Sequence, residues 1–185
     1  MAHTNILDGS KTALLVVDVQ EAFRSVIDDF SGFASRIAVA ARGFQILDRP
    51  VFVTEQYPKG LGRTADEIRE VLSPEFNYLE KTAFSSCGAA MLEDELRSAG
   101  ASQVVVCGLE THICVNQTTH DLLDRGFAVH LLTDCVVSRT KQNRRAGLRK
   151  MLTSGAIPSS VEMALFEMMR DAKHGKFKDI QRLVK

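Results

Sequence analysis

The stretch Gln103–Thr133, QVVVCGLETHICVNQTTHDLLDRGFAVHLLT, changes its hydrophobic period twice. Gln103–Gly108 is a near-continuous apolar run of β-favouring residues, and Phe127–Thr133 is a second such run. Between them, Cys114–Asp124 has the length and pattern of a helix, and Gly126 stands just beyond it, where glycine commonly ends helices. Strands that are apolar at almost every position belong in a parallel sheet covered on both faces. The stretch therefore predicts one strand–helix–strand unit of such a sheet.

Working outward, Ala13–Val19 (ALLVVDV) and Pro50–Thr54 (PVFVT) repeat the same kind of run. Asn77–Lys81 (NYLEK) and a short piece near Ala156–Pro158 predict two weaker strands. Helical periodicity predicts Phe33–Leu47, Ala65–Leu72, Gly88–Ala99, Gln142–Leu152 and Ser160–Asp171, the last opened by Ser159-Ser-Val-Glu162 read as a capping box. Strand and helix alternate to the end, with no internal repeat, low-complexity stretch or linker. The expectation is a single α/β domain over residues 1–185, a three-layer sandwich with right-handed crossovers.

Composition bounds the function. The chain has 185 residues, 45% of them hydrophobic, which is enough for a real core. Lys+Arg and Asp+Glu number 23 each, so the basic excess of a nucleic-acid binder is missing, and no polybasic cluster suggests a membrane surface. A zero net charge also removes repulsion between copies, so a homo-oligomer is expected. Four cysteines without C-x-x-C spacing make neither a disulfide scaffold nor a zinc ribbon. The start, Met1–Ser10, lacks a basic segment followed by an apolar run, and no apolar stretch approaches a membrane span. A soluble protein in the reducing cytoplasm, acting on a small molecule, is the expectation.

Ligands of open parallel sheets bind beyond the carboxyl ends of the strands. There the first strand delivers Asp18, the weak strand Asn77–Lys81 delivers Lys81, and Gln103–Gly108 leads through Leu109-Glu-Thr-His-Ile to Cys114 at the start of a helix. A thiol at a helix N-terminus, near a lysine, is eased toward thiolate, and a carboxylate such as Asp18 could act as general base. Backbone N–H groups of the turn could hold an oxyanion. The competing reading is a buried, inert cysteine. Cys107 reads as core, Cys135 as following its strand, Cys87 as a bystander, and His112 as a loop or packing residue. No His or Asp cluster has metal-ligand spacing, so no metal or other cofactor is expected. The Lys- and Arg-rich run Arg139–Lys150 reads as a solvated helix face, with a substrate rim or oligomer contact as alternatives.

Three motifs taken together are similar to the isochorismatase-like cysteine hydrolase family: Leu14-Leu-Val-Val-Asp-Val-Gln20, Glu80-Lys-Thr-Ala-Phe84 and Val106-Cys-Gly-Leu-Glu-Thr-His-Ile-Cys-Val115. Their order and spacing cover the chain from about Ala13 to Arg170. The resemblance implies a six-stranded parallel sheet of Rossmann-like type and an Asp–Lys–Cys triad at Asp18, Lys81 and Cys114. It also implies a cis peptide at Leu109–Glu110 and an oxyanion hole from the N–H groups of Glu110 and Cys114. Nicotinamidases of the family carry a metal-binding Asp-x-His segment where this chain reads Thr54-Glu-Gln-Tyr-Pro-Lys-Gly60, so neither that metal nor that substrate carries over. The segments around Glu55 and Cys114 look closest to the branch of isochorismatase domain-containing proteins. Members that cleave the vinyl ether of isochorismate often lack the cysteine, so Cys114 implies acyl transfer and cleavage of a small amide through a thioester. Phe23, Phe84 and Ile113 are candidate pocket residues, and the loops Gln56–Arg63 and Arg139–Asn143 are candidates for specificity. A binding or scaffold protein that kept the fold, and a thiol redox sensor using Cys114 with Cys87 or Cys135, stand as alternatives.

Overall fold

Six strands form one all-parallel sheet among the described residues: β1 (Thr12–Val17), β2 (Val51–Gln56), β3 (Leu79–Lys81), β4 (Gln103–Leu109), β5 (Ala128–Val137) and β6 (Ile157–Ser159). Their spatial order is β3-β2-β1-β4-β5-β6. Eight helices accompany them: α1 (Phe30–Ile46), α2 (Pro58–Leu61), α3 (Asp66–Arg69), α4 (Leu92–Ser98), α5 (Cys114–Asp124), α6 (Lys141–Thr153), α7 (Val161–Met169) and α8 (Phe177–Leu183). This computed structural model describes residue 3 and residues 5–185; Met1, Ala2 and Thr4, part of the stretch read for a leader, lie outside the described residues. No described helix is long and apolar enough to cross a membrane.

Alternation along the strands explains the layers, because successive side chains leave on opposite faces. Leu14, Val16 and Val105 bury into one core with Phe33, Ile37 and Phe44 of α1, Leu165 of α7 and Ile180 of α8. Leu15, Val17, Val104 and Val106 bury into the other with Leu92 and Leu96 of α4, Val115 and Leu122 of α5 and Met151 of α6. The sheet is thus covered on both sides, as its continuous apolar strands require.

Element bounds differ from the sequence reading where a single residue decides them. Asp18 adopts a left-handed backbone, φ 54°, and ends β1 before Val19. The span Ala65–Leu72 condenses to the one-turn α3, and Gly88–Ala99 begins with a 3-10 turn at Ser86–Gly88, leaving α4 shorter. Ser159 belongs to β6; the cap of α7 is Ser160, whose hydroxyl accepts from Met163 N at 3.2 Å, so the capping box read at Ser159–Glu162 is not formed. Helices α2 and α8 had no counterpart in the reading.

Two irregularities shape the edge where the strands end. Gly108 has φ 124°, and a Cβ there would lie 2.1 Å from Val17 O, so only glycine lets β4 approach β1 this closely. The β4–β5 register also slips, pairing Val106 with Leu131 but Gly108 with Val136. Arg144 of α6 secures this bulge, its Nε donating to Val136 O at 2.8 Å and its Nη2 to Thr133 O. The slip carries β5 on to Val137, so Cys135 lies within the strand and not after it.

Candidate active site

The strand order reverses between β1 and β4, so the chains leaving their carboxyl ends diverge and open a crevice. Asp18 leaves β1 at this point, and the turn Glu110–Ile113 leaves β4 and enters α5 at Cys114. On the other side of β1, β2 brings Thr54 level with Val17, and β3 brings Lys81 level with Gln56. Four neighbouring strand ends therefore contribute to one cluster.

Asp18 is almost wholly buried, and its two carboxylate oxygens have separate partners. Oδ1 accepts from Thr54 Oγ1 at 2.8 Å, and Oδ2 accepts from Lys81 Nζ at 2.6 Å. Lys81, itself 5% exposed, also donates to Gln56 Oε1 at 2.9 Å and to the carbonyls of Ala83 and Phe84 at 3.1 and 3.0 Å. Its long stem lets it reach across β2 to β1. Burial pushes the Asp18 carboxyl above its ordinary value, against the pull of Lys81 and of the hydrogen bonds from Lys81, Thr54 and Cys114.

Cys114 is the first residue of α5 and is buried, with its thiol in interaction range of Asp18. Burial pushes this thiol up to about 12, and the Asp18 charge adds to the effect; Lys81 and the N–H of Glu110 pull the other way. The expectation of a thiol eased toward thiolate is therefore corrected. Burial favours the protonated thiol here, and Asp18 lies within hydrogen-bonding range of it. Among the described residues, neither Glu110 N–H nor Cys114 N–H enters a backbone hydrogen bond, while the Ile113 and Val115 N–H groups both donate to Glu110 O. The Leu109–Glu110 peptide is cis.

The other expected residues distribute as follows. The Glu110 side chain turns away from the thiol, its Oε1 accepting from Arg139 N at 3.0 Å and Nε at 3.1 Å. The run Arg139–Lys150 is mostly exposed, as its reading as a solvated face expects, while Arg139 and Arg144 also have fixed partners. His112 Nδ1 lies 3.0 Å from Ser138 Oγ. Ile113 is half-buried against the α5-side core, and Phe84 is exposed while its carbonyl holds Lys81. Phe23 packs against the opposite, α1-side core. Cys107 and Cys135 are buried on that same side, and Cys87 is half-buried near Arg125. Of the expected specificity loops, Gln56–Arg63 contains α2, and the second is already helical from Lys141.

Among the described residues no group of three or more His, Cys, Asp or Glu side chains is placed to hold a metal. In the segment Thr54–Gly60, Gln56 engages Lys81 through Oε1 and, through Nε2, Thr82 O at 2.7 Å. Sequence reasoning missed Thr54, Ser86 and Thr118, and read Gln56 only as the start of a specificity loop. Ser86 Oγ lies 3.1 Å from Thr54 Oγ1, and Ser86 N donates to Thr118 Oγ1 at 2.8 Å.

The isochorismatase domain family matches residues 12–163. Human isochorismatase domain-containing protein 2 is 40% identical over 181 residues, covering 97% of this chain and 85% of that protein. A solved structure named MAR1 ribonuclease from Caenorhabditis elegans superposes with a TM-score of 0.91 at 37% identity, over 97% of this chain and 92% of that one. The ycaC gene product from Escherichia coli, described as an octameric hydrolase of unknown specificity, shares the fold with a TM-score of 0.84 at 19% identity, over 100% and 96%. With a domain match over most of its length and relatives near 40% identity, the chain belongs to the isochorismatase family.

Proposed function

We propose that this protein is a cysteine hydrolase that cleaves the C–N bond of a small amide. The observation that carries the reading is the buried Asp18 carboxylate, held by Thr54 and Lys81 and lying beside the thiol that opens α5. Cys114 passes its proton to Asp18 as sulfur attacks the carbonyl carbon. The tetrahedral oxyanion takes hydrogen bonds from the N–H groups of Glu110 and Cys114. Asp18 returns the proton to the departing amine, leaving a thioester. Water, losing a proton to Asp18, then attacks the thioester, and the carboxylic acid leaves with the thiol restored. Lys81 keeps Asp18 charged and oriented in its buried position.

Release of ammonia from a panel of small primary amides tests this. Cys114→Ala should lower kcat/KM at least about 10³-fold on any amide cleaved, and retained turnover overturns the role given to sulfur. The rate should fall as pH drops through the Asp18 titration, because the protonated carboxyl cannot accept the thiol proton. That acid limb should lie above the ordinary carboxylate range near 3.9. The nematode relative is named a ribonuclease, so single-stranded RNA belongs in the panel. The equal counts of acidic and basic residues speak against an RNA substrate. RNA cleavage that disappears in Cys114→Ala would replace the amide reading.

The single-domain organisation over residues 1–185, a cytoplasmic setting and self-association belong to the same proposal. Zero net charge, exposed Tyr57, Phe84 and Met91, and the octameric Escherichia coli protein of the same fold support association. Light scattering giving a mass of one chain removes it.

A further inference from the structure

Behind Asp18 lies a chain of buried hydroxyls that returns to the nucleophile's own helix. The single hydroxyl proton of Thr54 is directed at Asp18 Oδ1, because an ionised carboxylate only accepts. The contact of 3.1 Å between Thr54 and Ser86 then has one polarity left, with Ser86 as donor. Ser86 in turn is held by its own N–H on Thr118 Oγ1. Thr118 stands four residues after Cys114 on α5, on the same side of the helix. The contacts close a ring: Cys114, one helical turn to Thr118, Ser86, Thr54, Asp18 and back to the thiol. Ser86, Thr54 and Thr118 are all fully buried, so no water screens the two aligned hydroxyl dipoles.

We propose that Ser86 and Thr54 form a positioning relay that fixes Asp18 against Cys114 and, by donating in series, keeps Asp18 ionised as the proton acceptor. The inference rests on Asp18 being that acceptor. A donor to a carboxylate favours its charged form, and a second donor behind the first polarises it further. Neither residue touches the substrate; both act through Asp18. Satisfaction of buried polar groups alone would explain the bonds but would set no direction on the titration of the thiol–carboxylate pair.

The test is the pH profile of Cys114 alkylation by iodoacetamide, followed by peptide mapping, which needs no substrate. Thr54→Val, which keeps the shape and removes the donor, should move the acid limb up by about one pH unit. Thr54→Ser should restore it. Ser86→Ala should move the limb the same way by less, and should add nothing once Thr54 is Val. Superimposable limbs in wild type, Thr54→Val and Ser86→Ala overturn the relay, as does an equal effect of Ser86→Ala in both backgrounds. If Thr54→Val does not fold, Ser86→Ala alone decides, because its limb must still move. Asp18→Asn separates the two levels of the argument. If it leaves the wild-type limb in place, Asp18 is not the acceptor and both readings fail. If it abolishes the limb while the hydroxyl variants leave it unmoved, only the relay fails.

Discussion

At the scale of single residues, the Asp18–Lys81 pair is the most exacting feature. Both side chains are buried and separated by 63 positions in sequence, and each depends on the other for charge balance. Lys81→Met should cost about 3–5 kcal/mol in urea unfolding, because it strands a buried carboxylate. Combining it with Asp18→Asn should cost less than the two single changes added together. Asp18, Lys81 and Cys114 were legible in sequence because each ends or opens an element in a motif of fixed order. Thr54, Ser86 and Thr118 were not, and Gln56 was read only as the start of a loop. Threonine, serine and glutamine at element ends are common, and their value here comes from contacts between β2, the Ser86 turn and α5 that no local pattern encodes. The direction of the shift at Cys114 was misread for a related reason: spacing shows the helix N-terminus but not the depth of burial, which is the largest cause acting on the thiol.

Among the elements, β4 sets the geometry. Gly108 lies where β4 presses against Val17, one residue before Asp18. Gly108→Ala should destabilise by more than about 2 kcal/mol, combining a positive φ with a backbone clash, and should lower the thermal midpoint by several degrees. At α6, Thr140 caps the helix by accepting from Asn143 N at 3.2 Å, and Thr140→Ala should cost about 1 kcal/mol in the same measurement. The strands and long helices were readable from their periods, and α5 was placed residue for residue because Cys114 and Gly126 bracket it. The extension of β5 through Cys135 was not readable. It depends on a register slip that Arg144 secures from another element, and a strand's own sequence does not show its partner's register.

For the molecule as a whole, one buried imidazole makes stability sensitive to acid. His130 is 1% exposed, its Nε2 has no hydrogen-bond partner among the described residues, and burial holds it down to about 4. The unfolded chain takes up this proton near 6.5, so stability is fully present above that pH and declines as pH falls toward 4, by about 3 kcal/mol at most. His130→Leu should flatten that decline in urea titrations at several pH values. Asp18, raised by burial, contributes in the opposite sense: its cost to folding grows as pH rises through the ordinary carboxylate range. The short edge strand β3 has a consequence of another kind. Lys81 is its last residue, so local opening at this border of the sheet withdraws the cation from Asp18 before the central strands are disturbed. Formation of the buried Asp18–Lys81 pair and the docking of one three-residue strand are therefore a single event.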